Sequence, residues 1–197
     1  MSSAAVASNR LVLADLVPGA LVRDIALVVG GAGLTGLAAQ VSIHTPLSPV
    51  PFTLQTMAVL VVGAALGTAR GLLSMLLYLL AGVAGVPWFA SHSSGWGGPS
   101  FGYLLGFVVA AGLVGALARR GADRHVLSTV GLMVAGSVVI YLIGTAWLAE
   151  DLHLGAAKAF ELGVRPFLVT DAIKLAIAAL AFPAAWKFAR RDSASES

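Results

Sequence analysis

The chain has no cysteine, which excludes disulfides, thiolate metal sites and cysteine nucleophiles. Charge is scarce as well. Only 11% of its 197 residues are Asp, Glu, Lys or Arg, against 58% hydrophobic, whereas soluble domains carry roughly one-quarter charged residues. No water-soluble surface can be built from that inventory. A GxxxxGK[ST] phosphate loop is missing, so the chain has no Walker-type route to ATP hydrolysis. HExxH is missing too, and His44, His92, His125 and His153 are scattered without ligand spacing. Neither a metal site, nor a cofactor site, nor catalysis is expected. There is no internal repeat, which counts against transporter folds built from inverted halves.

What is present is a series of long apolar runs. Breaks rich in charge, proline or glycine divide them into six predicted helices, at residues 24–43, 52–68, 70–86, 101–118, 127–148 and 166–188. A lipid-exposed backbone must satisfy its own hydrogen bonds, and the runs lack the period-two alternation of barrel strands. The expected fold is therefore an all-α bundle of six transmembrane helices. Residues 24–189 would form its single membrane domain, 1–23 a cytoplasmic lead-in without the features of a signal peptide, and 190–197 a disordered polar tail. The second and third spans meet at Gly67-Thr-Ala-Arg70-Gly71, a tight turn that makes them a hairpin.

The formal charge of +3 forms no contiguous patch of the kind that binds nucleic acid. The basic residues sit at span ends instead. With the amino terminus inside, Arg10, Arg23, Arg70, Arg119, Arg120, Arg124, Lys187, Arg190 and Arg191 fall on the inner side, against Lys158 and Arg165 outside. That asymmetry places both termini in the cytoplasm and leaves three outer loops, His44 to Pro51 with three prolines, Pro87 to Ser100 rich in Gly, Ser and aromatics, and Glu150 to Arg165 mixing charge with apolar residues.

Gly31-Ala-Gly33-Leu-Thr-Gly36 matches the GxGxxG fingerprint of dinucleotide sites but lies inside the first span, with no preceding strand and no acidic residue at the required distance. Helix packing explains it better. Ala26 and Gly30, then Ala32 and Gly36, are small residues four apart that let another helix approach, from this chain or from a partner subunit.

Asp171 and Lys174, three apart near the outer end of the last span, share one helix face. Insertion scales charge roughly 2.5–3.5 kcal/mol for such a residue at a helix centre. The pair either complements the helix end and snorkels outward, or forms part of a ligand site. Thr53 and Gln55 at the start of the second span, Phe89, Ser91 and His92 in the next outer loop, and Tyr103 at the start of the fourth span belong to the same side of the membrane. Phe52, Trp88, Trp96 and Phe101 lie near them in sequence, and a few polar groups in an aromatic wall are the usual anatomy of a small-molecule site.

Four blocks, Ser48-Pro-Val-Pro-Phe-Thr-Leu-Gln-Thr56, Leu60-Val-Val-Gly-Ala-Ala-Leu-Gly67, Tyr78-Leu-Leu-Ala-Gly-Val-Ala-Gly-Val-Pro87 and Gly98-Pro-Ser-Phe-Gly-Tyr-Leu-Leu-Gly-Phe107, together with Arg165-Pro-Phe and the Asp171/Lys174 pair, resemble the BioY family. The order and spacing agree over roughly residues 24 to 190. The chain carries Trp88 and Ser91 where that family often has an aliphatic residue and Asn or Gly, and glycines where its coupling motif is typically Ala.

The resemblance implies a biotin-binding S component of an energy-coupling-factor (ECF) transporter, a multi-pass protein of the bacterial plasma membrane. Its partners would be biotin, the lipid bilayer, a transmembrane coupling subunit and two ABC-type ATPases, with a self-sufficient homo-oligomer left open. It also implies that Asp171, Lys174, Gln55, Thr53, Tyr103, Ser91 and Phe89 bind substrate, and that Ala26, Gly30, Ala32 and Gly36 face the coupling subunit. Asp171 can accept ureido N–H bonds, and Lys174 can meet either the ureido carbonyl or the carboxylate. The alternatives are an S component for another vitamin, or an intramembrane enzyme using Asp171 with a histidine or tyrosine.

Overall fold

A computed structural model describes residues 11–16 and 21–195, with side chains through Lys187. The remainder of the predicted lead-in and the last two residues of the predicted tail lie outside the described residues. The major elements are helix α1 (Leu21–Gln40), a two-stranded antiparallel hairpin of β1 (Ser42–Thr45) and β2 (Ser48–Thr53), and helices α2 (Gln55–Val83), α3 (Phe101–Ala118), α4 (Val126–Asp151), α5 (Ala156–Gly163) and α6 (Leu168–Ser195). Short 3-10 turns occupy Leu13–Leu16, Ala90–His92 and Arg165–Phe167.

Among the described residues, five helical stretches are long and apolar enough to cross a membrane. Leu37, Leu80, Leu142 and Leu180 are each more than half exposed. A surface of leucine is unfavourable in water and suited to hydrocarbon.

The sequence predicts two helices where the structure has the single assigned helix α2, yet α2 cannot be straight. Gln55 and Tyr78 would lie roughly 35 Å apart on a continuous helix at 1.5 Å per residue, but their side chains are hydrogen-bonded at 2.6 Å. The reversal is at Gly67, whose φ of 81° and ψ of −178° are available essentially only to glycine. Residues 55–66 and 68–83 therefore run antiparallel, close enough that a Cβ on Gly71 would sit 3.0 Å from the Gly63 Cα. Helix α3 packs into this hairpin through Gly63, Gly67 and Gly115.

Four expectations need correction. The proline-rich segment after α1 is a β-hairpin, not a loop, pairing Ser42 with Thr53, Ile43 with Phe52 and Thr45 with Ser48. Pro49 and Pro51 fall outside those pairs, where a missing N–H costs no ladder bond, while Ser48 and Val50 alternate inward and are buried. The first span ends at Gln40 and the second begins at Gln55, because the hairpin takes the intervening residues. The outer segment before the last span holds α5 and a 3-10 turn containing Pro166. Helix α6 continues to Ser195, past the point where a disordered tail is expected.

At the end of the bundle that carries the Gly67 turn, Arg70 Nη1 donates to Asp15 Oδ1 at 2.8 Å, and Arg70 Nε lies 3.1 Å from Asp24 Oδ1. Partial burial raises the Asp15 pKa, but the Arg70 guanidinium and the Val12 N–H outweigh it and hold the carboxyl below its ordinary range.

Candidate functional site

A cavity of about 330 Å³ opens at the other end, beneath the hairpin. All seven residues expected to bind substrate line it: Asp171, Lys174, Gln55, Thr53, Tyr103, Ser91 and Phe89. They arrive from β2, the first turn of α2, the loop before α3, α3 itself and the first two turns of α6.

The floor is a charged cluster. Asp171 is 7% exposed. Its Oδ1 accepts from Lys174 Nζ at 2.8 Å, and its Oδ2 accepts from the Tyr141 hydroxyl. Lys174 also donates to the Thr53 carbonyl at 2.8 Å and to Thr56 Oγ1 at 3.0 Å. An ammonium has three protons, so every donor of Lys174 is engaged, and the group ties the end of the hairpin to α2 and α6. A carboxylate offers about four lone-pair positions. Two on Asp171 are taken, leaving two for a ligand donor.

A second chain of bonds holds the wall. The Thr53 hydroxyl donates to Gln55 Oε1 at 3.2 Å, Gln55 Nε2 donates to Tyr78 Oη, and Tyr78 Oη donates to the Trp88 carbonyl at 3.1 Å. Trp88 Nε1 returns a bond of 2.9 Å to the Tyr78 carbonyl. Phe89 wedges edge-on against Tyr78, and Phe52 stacks on Phe167 with centroids 4.5 Å apart. Tyr103 contributes its ring, because its hydroxyl is engaged by the Gly163 carbonyl at 2.8 Å. Ser91 Oγ lies 3.0 Å from Ser42 Oγ. His92, flagged in the sequence, is absent from the wall. Trp96 is 70% exposed and rests on Phe101 and Trp147.

Two contributors have no signature in the sequence. Tyr141 lies in the middle of α4, in an apolar run where one tyrosine reads as ordinary span composition. Gln40 ends α1, and its Nε2 donates to the carbonyls of Gly36, Trp88 and Phe89 while its Oε1 accepts from the His92 N–H. Those bonds hold Ser91 and His92 at positive φ, an uncommon conformation for side-chain-bearing residues, which sets Ser91 on the cavity rim.

The four expected docking residues do not share a face. At 100° per residue, Ala32 and Gly36 turn away from Ala26 and Gly30. Ala26 and Gly30 are exposed and a Cβ on Gly30 would meet nothing, whereas Ala32 and Gly36 are buried, Gly36 directly against Trp88. The second pair packs within the chain.

A multi-pass membrane bundle with an enclosed polar floor, an aromatic wall and a hairpin above it defines a membrane-embedded subunit that captures a small molecule. The family model described as "BioY family" matches residues 6–191, and the chain belongs to that family. It is 40% identical over 161 residues to the probable biotin transporter BioY of Pyrococcus horikoshii, covering 80% of this chain and 93% of that one. It is 39% identical over 141 residues to the biotin transporter BioY of Thermotoga maritima, covering 70% and 82%. The S-component for biotin from an ECF-type ABC transporter superposes with a TM-score of 0.75 at 19% identity, over 84% of this chain and 92% of that one. That likeness is one of fold.

Proposed function

We propose that this chain captures biotin as the substrate-binding component of an ECF-type transporter, without catalysis of its own. The observation that carries the reading is the Asp171 carboxylate, buried and held from both sides by Lys174 and Tyr141, with acceptor positions left open toward the cavity. Biotin's ureido ring brings N–H donors to match. Its apolar thioether ring suits Phe89, Phe107 and Phe167 in the wall. The names of the relatives point to the same ligand.

Both arms of α2 cross the bilayer in this reading, giving six crossings with the two termini and the Gly67 turn on the cytoplasmic side. The support is the charge asymmetry, with Arg23, Arg70, Arg119 and Arg124 gathered at the Gly67 end. The cavity then faces outward, where a nutrient arrives. Energy comes from partners, namely a transmembrane coupling subunit and two ABC-type ATPases. Ala26 and Gly30 on the exposed side of α1 are the residues proposed to meet the coupling subunit. Ala32 and Gly36 are not part of that surface.

The test is calorimetric titration of biotin into the detergent-purified chain. Binding tighter than about 1 μM, roughly −8 kcal/mol, is expected. Heats that appear only for thiamine or riboflavin would transfer the pocket to another vitamin.

Tyr141→Phe keeps the ring and removes the donor to Asp171. A hydrogen bond to a charged group contributes about 1.5–3 kcal/mol, so biotin affinity should fall by about one to two orders of magnitude. In an Asp171→Asn background the same change should cost little. Equal losses in both backgrounds would show that Tyr141 acts through packing and not through Asp171.

A further inference from the structure

The cavity is chemically lopsided. Its floor residues, Gln55, Tyr103, Phe107 and Asp171, are buried, and its two formal charges, Asp171 and Lys174, sit together there. Its rim carries His44, Ser91, Ser93 and Ser94, all exposed. Lys174 is the single Lys or Arg among the cavity's lining residues, and its three protons are engaged. The other nearby cations are elsewhere: Lys158 pairs with Glu161 at 2.9 Å on an exposed face, and Arg165 is exposed and outside the wall.

A ligand with a cyclic urea at one end and a carboxylate at the other therefore has one orientation. Its carboxylate at the floor would face Asp171 without a free counter-charge, and burying an unpaired anion is strongly unfavourable. With the ring at the floor, the carboxylate stays at the rim, solvated and met by neutral hydroxyls.

We infer that the pocket reads the ring and not the charge of the tail, so that its ligand class is cyclic ureas bearing an aliphatic tail that ends in an acid, an ester or an amide. This inference rests on the biotin reading and extends it to uncharged biotin derivatives, such as amides released when biotin-bearing proteins are broken down. Solvated charges interact weakly at the dielectric of water, and neutral donors can serve an ester or amide carbonyl as they serve a carboxylate.

The experiment titrates the detergent-purified chain with biotin, biotin methyl ester, biotinamide and lipoic acid. Lipoic acid keeps the five-carbon acid tail and a sulfur ring but lacks the urea. Ester and amide should bind within about tenfold of biotin, and lipoic acid should lose at least about a hundredfold, 2.7 kcal/mol. An ester and an amide both weaker than biotin by more than tenfold would overturn the inference and leave the biotin reading intact. So would lipoic acid binding as tightly as biotin. Absence of binding by biotin itself would overturn the reading beneath it, and the inference with it.

Discussion

Lys174→Met should abolish tight biotin binding, with a loss of about a hundredfold or more, and should loosen the hairpin at the same time. The two ends of the Lys174–Asp171 pair are only 14% and 10% exposed, and removing one partner of a buried pair costs about 3–5 kcal/mol because the other charge is left uncompensated. The further consequence is specific to this geometry. The Lys174 ammonium also holds the Thr53 carbonyl and the Thr56 hydroxyl, so its removal detaches the end of β2 from α6. Hydrogen exchange at the non-proline amides of 48–56 should quicken in the ligand-free variant. Asp171→Asn separates the two effects: affinity should fall, because an amide presents fewer acceptor positions to the ureido N–H groups, while Lys174 keeps its bonds to Thr53 and Thr56. Unchanged exchange in Lys174→Met would show that the hairpin is held by other contacts, and unchanged affinity in both variants would move the ligand away from this floor.

The largest effect on the fold itself is expected from Gly115→Ala. A Cβ there would stand 2.5 Å from the Thr68 backbone nitrogen and 2.7 Å from the Gly67 carbonyl oxygen. Both are main-chain atoms at a reversal that only glycine accommodates, so no side chain can rotate aside. Overpacking commonly costs 1–3 kcal/mol and more where nothing yields, and about 3 kcal/mol or more is expected here. The measurement is thermal unfolding in detergent against Gly131→Ala, where an added Cβ meets nothing within 4 Å on an exposed helix face. That control should be neutral or slightly stabilising, since alanine is favoured over glycine in helices by up to about 1 kcal/mol. Equal melting of the two variants would mean that α3 can shift away from the Gly67 turn at little cost.

The helices were legible because the solvent of a membrane protein permits few solutions. Long apolar runs must be helical, and Gly67 beside Arg70 marked a turn between two of them. The hairpin was not legible. Three prolines between His44 and Pro51 read as a loop, and the period-two alternation is visible only at Ser48 and Val50 once the register with β1 is known. The pocket was legible in part. Asp171 and Lys174 were conspicuous because charge inside a span is rare, and Gln55, Thr53, Phe89, Ser91 and Tyr103 through depth in the chain and the family's blocks. Tyr141 and Gln40 were invisible, because a tyrosine in an apolar helix and a glutamine at a helix end are commonplace until their partners are known.

Composition and apolar run length by themselves determined that this protein lives in a bilayer and is helical, since a backbone in hydrocarbon has almost no other way to satisfy its hydrogen bonds. The recurring blocks determined its kinship. Only the tertiary structure decided what the polar residues do. It engaged all three protons of Lys174 with groups up to 121 residues distant, turned Ala32 and Gly36 inward while leaving Ala26 and Gly30 exposed, and brought Tyr141 onto Asp171 from another helix. Those outcomes depend on which helix faces pack together, and helical periodicity gives each face an angle about its own axis but no neighbour.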